Sequence, residues 1–211
     1  QVPYVRSAAE VAGWRRDAEG RIGLAEVVQR IRPTMLIGTS TQPGAFTEAI
    51  VTEMAAQVAR PVIMPLSNPT SHAEARPADL IAWTGGRALI ATGSPFDPVA
   101  YQGVSYQIAQ ANNALIFPGL GLGVTVGRAR RVSDGMLAAA ADALAGLSDA
   151  GAPGAGVLPP MTSLRATSAA VAAAVARAAD SEGLAGVRLT DPVRQVREAM
   201  WEPDYPRIEA V

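Results

Sequence analysis

The chain contains no cysteine, which excludes disulfides, thiolate metal sites and cysteine nucleophiles. It also contains no lysine: all 18 basic residues are arginine. A P-loop lysine, Schiff-base chemistry and a lysine general base are therefore impossible within these 211 residues. Charge is sparse, at 18% against roughly 25% in ordinary soluble domains. It is also balanced, to a formal net charge of -1, so nothing marks a nucleic-acid or membrane-surface partner. No apolar run approaches the roughly 20 residues of a membrane span. No basic-then-apolar signal opens the chain, and the cytoplasm is the expected compartment. Much of the 49% apolar content is alanine, the side chain that lets helices approach closely. So few charges point to faces that meet other protein.

Four short apolar runs organise what is present: Met35-Leu36-Ile37, Val62-Ile63-Met64, Ala88-Leu89-Ile90 and Leu115-Ile116-Phe117. Their central residues, 36, 63, 89 and 116, lie 27, 26 and 27 apart, close to the roughly 30 residues of a βαβ unit. Continuous apolar character fits strands buried on both faces of a parallel sheet. Pro33, Pro61, Gly85-Gly86 and Asn112-Asn113 punctuate just before each run, which favours strand over buried helix. The expected architecture is α/β: a partial Rossmann-like, doubly wound sheet of about four mainly parallel strands with flanking helices.

Helical patterns fill the intervals. Leu24 to Ile31 is amphipathic over a turn or two. Thr47 is an expected N-cap, after which Ile50, Met54 and Val58 continue a face begun by Phe46. Pro77 to Trp83 predicts a short helix, and Ser133 caps another carrying Met136, Leu137, Ala140, Ala141 and Leu144. The stretch Gly151 to Gly156 is a break. Beyond it, Thr162 or Ser163 opens a long helix whose stripe of Leu164, Ser168, Val171, Val175 and Ala178 is narrow and small, so something packs tightly against it. Between Thr92 and Asn113 no helical period survives, and a hairpin around Val99 to Ile108 is expected. The direction of the strand at 115–117 is left open. A last helix follows Asp191-Pro192, and the extended Trp201 to Pro206 segment is expected to lie across a surface. Domain boundaries are expected at 1–185, part of a dinucleotide-binding domain, and 186–211, a C-terminal helix and tail.

In open α/β sheets ligands sit beyond the carboxyl ends of the strands. Each run here ends in small or polar residues: Gly38-Thr39-Ser40, Ser67-Asn68-Pro69-Thr70, Thr92-Gly93-Ser94 and Pro118-Gly119. Such residues let a ligand approach the backbone and offer neutral hydrogen bonds to ribose or carboxamide. The phosphate-binding fingerprint is missing. Gly119, Gly121 and Gly123 come near it, but G-x-G-x-x-G needs glycine where Val124 or Val126 stands. These glycines are expected to serve close helix–sheet packing. A complete dinucleotide fold has two mononucleotide halves, so four strands without a fingerprint look like the second half. The Asn112-Asn113 pair could hold a carboxylate through amide N–H groups without adding charge, or be turn residues alone. His72, the only histidine, is expected as a cap or surface residue. Asp17, Glu74, Asp97 and Asp134 show no metal-ligand spacing, and no nucleophile–base arrangement is legible.

The run RPTMLIGTSTQPGAFTEAIV, followed by PLSNPTSHAEA, RALIATGSPF, QANNALIFPGLGLG and RRVSDGML, resembles the C-terminal half of malic enzymes, and the tail MWEPDYP is similar to that family's end. The resemblance covers nearly the whole chain. It implies oxidative decarboxylation of malate to pyruvate and CO2, with reduction of NAD or NADP and a divalent Mg or Mn ion. It places Asn68 against malate and the nicotinamide side of the cofactor, and Asn112 and Asn113 against malate's carboxylate. Gly38, Thr39 and Ser40 would line the cofactor cleft. The family's tyrosine acid, lysine base, carboxylate metal ligands and glycine fingerprint match no position here, so this segment alone is expected to be inactive and to need the missing N-terminal half. The opening, Gln1 to Trp14, likewise has the character of mid-protein sequence. A homo-oligomer is expected. The alternative is a non-catalytic nucleotide-binding or assembly module with a half-Rossmann fold.

Overall fold

The computed structural model describes residues 5–202 and Glu209. The chain divides into two compact units, 1–108 and 109–211.

The first unit is built on parallel pairing. Strands β1 (Met35–Gly38), β2 (Val62–Pro65) and β3 (Leu89–Thr92) form where the first three apolar runs predict them. Both ladders are parallel, with Leu36 opposite Ile63 and Ile63 opposite Ile90. Parallel neighbours need a crossover, and helices supply it. Helix α1 (Leu24–Ile31) precedes β1, α2 (Glu48–Gln57) joins β1 to β2, and α3 (Pro77–Trp83) joins β2 to β3. Thr47 caps α2 by accepting from the Ile50 N–H. Proline opens α3, where its missing N–H costs nothing. Val51, Met54, Ile63, Leu80 and Ile81 are buried together as the core. Arg87 closes the far end of α2: its guanidinium donates to the carbonyls of Ala55 (2.9 Å), Val58 (3.2 Å) and Ala59 (3.0 Å). The expected hairpin is present as β4 (Val99–Tyr101) and β5 (Val104–Tyr106), antiparallel. Its two-residue turn needs left-handed backbone at Gln102 and Gly103, with φ of 48° and 79°.

Burial on both faces holds only in part. Met35 and Ile37 of β1 are 49% and 53% exposed, while Leu36 between them is buried. The alternation of a one-sided strand is thus hidden under an unbroken apolar sequence.

The fourth apolar run does not form the strand that the sequence predicts; the second unit opens with the two-residue strand β6 (Ala109–Gln110). The run Leu115-Ile116-Phe117 belongs instead to a 3-10 turn (Asn113–Leu115) and the start of helix α4 (Phe117–Gly127). Pro118 sits in the first turn of α4, where proline is preorganised for helix. The second unit then continues as α5 (Asp134–Ala145), α6 (Leu164–Ser181) and α7 (Pro192–Ala199). Ser133 and Asp191 cap α5 and α7 through the N–H groups of Met136 and Arg194.

The glycines of α4 correct a second expectation, since they pack against a helix rather than a sheet. A Cβ on Gly119 would lie 2.6 Å from Val171 Cβ, and one on Gly123 would lie 2.6 Å from the Ala172 carbonyl oxygen. Glycine lets α4 press on α6, which is the tight partner implied by that helix's small stripe. Val171, Val175, Ala179, Leu120 and Met136 form the core there. Leu137, placed by its spacing on the inner face of α5, is 46% exposed.

Candidate functional site

The carboxyl ends of β1 and β2 are tied together by one buried carboxylate. Glu74 lies in the connection after β2 and is fully buried. Its Oε1 accepts from the Ser40 N–H (2.8 Å), the Ser40 hydroxyl (2.9 Å) and the Ser67 hydroxyl (2.5 Å). Its Oε2 faces the Ser67 N–H at 3.4 Å. Ser67 passes the effect outward, because its Oγ accepts from the Thr41 N–H (2.9 Å) while its proton goes to Glu74. Ser40 Oγ likewise accepts from the Gln42 N–H at 3.2 Å. The loop after β1 is therefore fixed by hydroxyls whose protons are committed to Glu74. Burial pushes the Glu74 carboxyl up, but the donors from Ser67 and Ser40 outweigh it and hold the group below its ordinary value of 4.5. The carboxylate is charged because its partners make it so.

Gly38 is what lets Glu74 reach this position. A Cβ there would fall 2.5 Å from the Glu74 carboxyl carbon and 2.7 Å from the Phe46 ring. Gly38 is buried beneath the edge, whereas Thr39 and Ser40 are exposed on it.

Asn68 is exposed beside them, after buried Ser67, and the Asn68–Pro69 peptide is cis. Its Oδ1 accepts the Ser94 hydroxyl at 2.5 Å, so β3's terminus orients a residue of β2's. Gly93 makes this approach possible, since a Cβ there would meet the Leu66 carbonyl oxygen at 2.1 Å. His72 is exposed at the end of a 3-10 turn, Nδ1 3.4 Å from the Thr41 carbonyl oxygen.

The structure thus brings Gly38, Thr39, Ser40 and Asn68 to one edge of the first unit. Asn112 and Asn113 belong to the second unit. Asn112 precedes and Asn113 opens a 3-10 turn rather than a buried strand: Asn112 caps it, its Oδ1 accepting from the Ala114 N–H at 2.9 Å, and both residues are exposed. The cap uses the carbonyl end of Asn112 and leaves its amide N–H groups for other partners.

Glu74 is the residue that sequence reasoning passed over. Metal-ligand spacing is the wrong test for it, because it binds hydroxyls and backbone. Its only signal was position, between two strand-end motifs. Among the described residues no three histidine, aspartate or glutamate side chains converge as metal ligands do, and no helix is long and apolar enough to cross a membrane.

The chain is similar to known proteins. The family model described as malic enzyme, NAD binding domain, matches residues 1–180. NAD-dependent malic enzyme 3 of Bacillus subtilis is 55% identical over 212 residues, covering 100% of this chain and 38% of its own length. The malolactic enzyme of Leuconostoc mesenteroides is 47% identical, covering 97% of this chain and 37% of its own. This chain therefore spans a little over a third of such relatives. In three dimensions, the malic enzyme from Pyrococcus horikoshii superimposes with a TM-score of 0.65 at 26% identity, over 85% of this chain and 37% of that one. That of Entamoeba histolytica gives 0.65 at 25% identity, over 86% and 34%. Strand-end motifs, parallel topology and overall similarity agree: this chain belongs to the malic enzyme NAD-binding domain family.

Proposed function

We propose that this chain is the C-terminal part of a malic enzyme, which converts malate to pyruvate and CO2 while reducing NAD or NADP. The observation that carries this reading is the neutral, preorganised edge at the carboxyl ends of β1 and β2, with Thr39, Ser40 and Asn68 exposed on it. Those groups suit the ribose and carboxamide of a nicotinamide cofactor, whereas a pyrophosphate needs the glycine loop that the sequence lacks. When bound, NAD supplies the acceptor for the hydride leaving malate. Asn68 is assigned to malate and the nicotinamide side of the cofactor; Gly38, Thr39 and Ser40 are assigned to the cofactor. Asn112 and Asn113 are assigned to malate's carboxylate through their amide N–H groups. Orienting both ligands is what this chain contributes, and correct placement alone can supply several kcal/mol of a barrier, up to roughly 7–11.

The remaining roles belong to sequence outside this chain. The hydroxyl proton of malate needs a base, and no described residue on the edge offers one beyond the exposed imidazole of His72. No step through Mg or Mn is assigned to the residues here, because among the described residues none forms a ligand set for the ion. Residues 1–185 are the second half of a dinucleotide-binding domain on this reading, and 186–211 a C-terminal helix and tail. The whole protein is a cytoplasmic homo-oligomer.

A malolactic activity is the second reading, favoured by the malolactic enzymes at 47% and 45% identity over 97% of this chain. One experiment separates them. Full-length protein is given malate, Mn and NAD, and NADH, pyruvate and lactate are followed together. Equal amounts of NADH and pyruvate support the malic enzyme; lactate without net NADH supports the second reading; neither product overturns both. The 211-residue chain alone is expected to yield no product.

A further inference from the structure

The terminus of β3, Thr92-Gly93-Ser94, receives no ligand role above. We infer that Ser94 is a positioning residue: it fixes which end of the Asn68 side chain faces the ligand, so that this position accepts only a ligand oxygen able to take a hydrogen bond. The inference rests on the reading of Asn68 as a ligand-binding residue.

An asparagine amide has two unlike ends, an accepting carbonyl and a donating NH2. Ser94 is 8% exposed, and its hydroxyl lies 2.5 Å from Asn68 Oδ1. A serine hydroxyl carries one proton. Given to Oδ1, it engages the carbonyl and leaves both N–H groups of Nδ2 free. Asn68 is exposed, and Nδ2 has no hydrogen-bond partner among the described residues.

The serine is itself held in place. Thr92 Oγ1 donates to the Ser94 carbonyl oxygen at 2.8 Å. The Gly93 N–H donates to the Pro65 carbonyl oxygen at 3.3 Å. A Cβ on Gly93 would lie 3.0 Å from Asn68 Nδ2 itself and 2.1 Å from the Leu66 carbonyl oxygen, so the amide sits beside a position that only glycine can occupy. The hydroxyl is delivered by strand backbone; a turned amide could still donate an N–H to its oxygen, but the proton of this buried serine would then lose the one acceptor it has among the described residues. A ribose hydroxyl, the carboxamide oxygen of the cofactor and a carboxylate oxygen of malate all have the accepting chemistry this donor selects.

The test uses full-length protein, with the NAD dissociation constant from equilibrium titration, the malate KM from turnover, and the melting temperature of each variant. Asn68→Ala should weaken one or both constants about tenfold. Asn68→Asp keeps an oxygen for Ser94 but puts an acceptor where Nδ2 was, so it should bind at least as poorly while melting like wild type. Ser94→Ala should weaken the same constant about two- to sixfold, because the freed side chain samples both turns of the amide and its three staggered rotamers, which lowers the correctly placed fraction. That effect should vanish in the Asn68→Ala background, and Ser94→Thr, which keeps the hydroxyl, should restore binding. Movement of the NAD constant identifies a cofactor oxygen as the acceptor, and movement of the malate constant identifies malate's. If Asn68→Ala weakens binding but Ser94→Ala does not, the role of Ser94 is overturned and that of Asn68 stands. If Asn68→Ala changes neither constant, the reading of Asn68 fails and Ser94 falls with it. Losses that add in the double variant, or wild-type binding by Asn68→Asp, overturn the inference as well.

Discussion

Replacing Glu74 by glutamine removes one charge and almost nothing else. The amide oxygen can take the place of Oε1 and still accept from Ser40 N, Ser40 Oγ and Ser67 Oγ, which now approach at 2.5–2.9 Å. What changes is the strength of each bond. A hydrogen bond to a charged group contributes about 1.5–3 kcal/mol and a neutral one about 0.5–1.5. Three donors share one oxygen, so the losses do not add fully, and about 2–3 kcal/mol is expected in total. The new NH2 also faces the Ser67 N–H, donor against donor, where Oε2 lay at 3.4 Å. Urea unfolding of full-length Glu74→Gln and wild type at several pH values reads this out. Because the folded-state value of Glu74 is depressed, its contribution is complete above the ordinary value of 4.5. It is lost as pH falls through the lower native value. The gap between the two proteins should hold steady from pH 8 to about 5 and close in more acid solution. A glutamine variant as stable as wild type at pH 7, or a gap that widens on acidification, would refute the account of the strand-end loops.

Three further outcomes are expected. Gly123→Ala should destabilise by about 1–3 kcal/mol through overpacking against α6, whereas Gly121→Ala, whose Cβ would meet nothing within 4 Å, should gain about 0.5–1 kcal/mol in the same helix; thermal melts of both decide it. Asn112→Ala should raise the malate KM roughly 10- to 150-fold, the loss of one hydrogen bond to a charged carboxylate, with far less effect on NAD; equal changes in both would count against its role. Arg165 holds the Trp201 carbonyl while the ring stays 74% exposed, so truncation after Met200 should reduce the oligomeric mass measured by light scattering, and unchanged mass would exclude the tail as an essential subunit contact.

Much of the first unit was legible in the sequence because local signals agreed there. Pro61 and Gly85-Gly86 bounded apolar runs of strand length, and Thr47 and Pro77 marked helix starts that the structure confirms. The run at 115–117 misled for a physical reason: glycine marks turns, but in α4 it marks a helix contact. Gly119, Gly123 and Gly127 recur every four residues, as do Val171, Val175 and Ala179 of α6, and this matched spacing was the available clue. The exposure of Met35 and Ile37 could not be read from sequence, since an unbroken apolar run looks the same whether or not both faces are covered. Glu74 was hidden more deeply. Its partners Ser67 and Ser40 lie seven and 34 residues away, and only a parallel sheet brings two strand ends to one carboxylate. The orientation of the Asn68 amide is likewise a property of packing: sequence supplies the asparagine, and Ser94 from the next strand decides which end is offered. Tyr205, expected in the extended tail, lies outside the described residues.

The central claim is that the carboxyl edge of β1 and β2 holds the nicotinamide end of the cofactor. A crystal structure of the full-length protein with NAD and malate tests it most directly. The account predicts nicotinamide riboside against Gly38, Thr39 and Ser40, with an oxygen of cofactor or malate within hydrogen-bond distance of Asn68 Nδ2. Cofactor density elsewhere, with Asn68 facing only water, would contradict it.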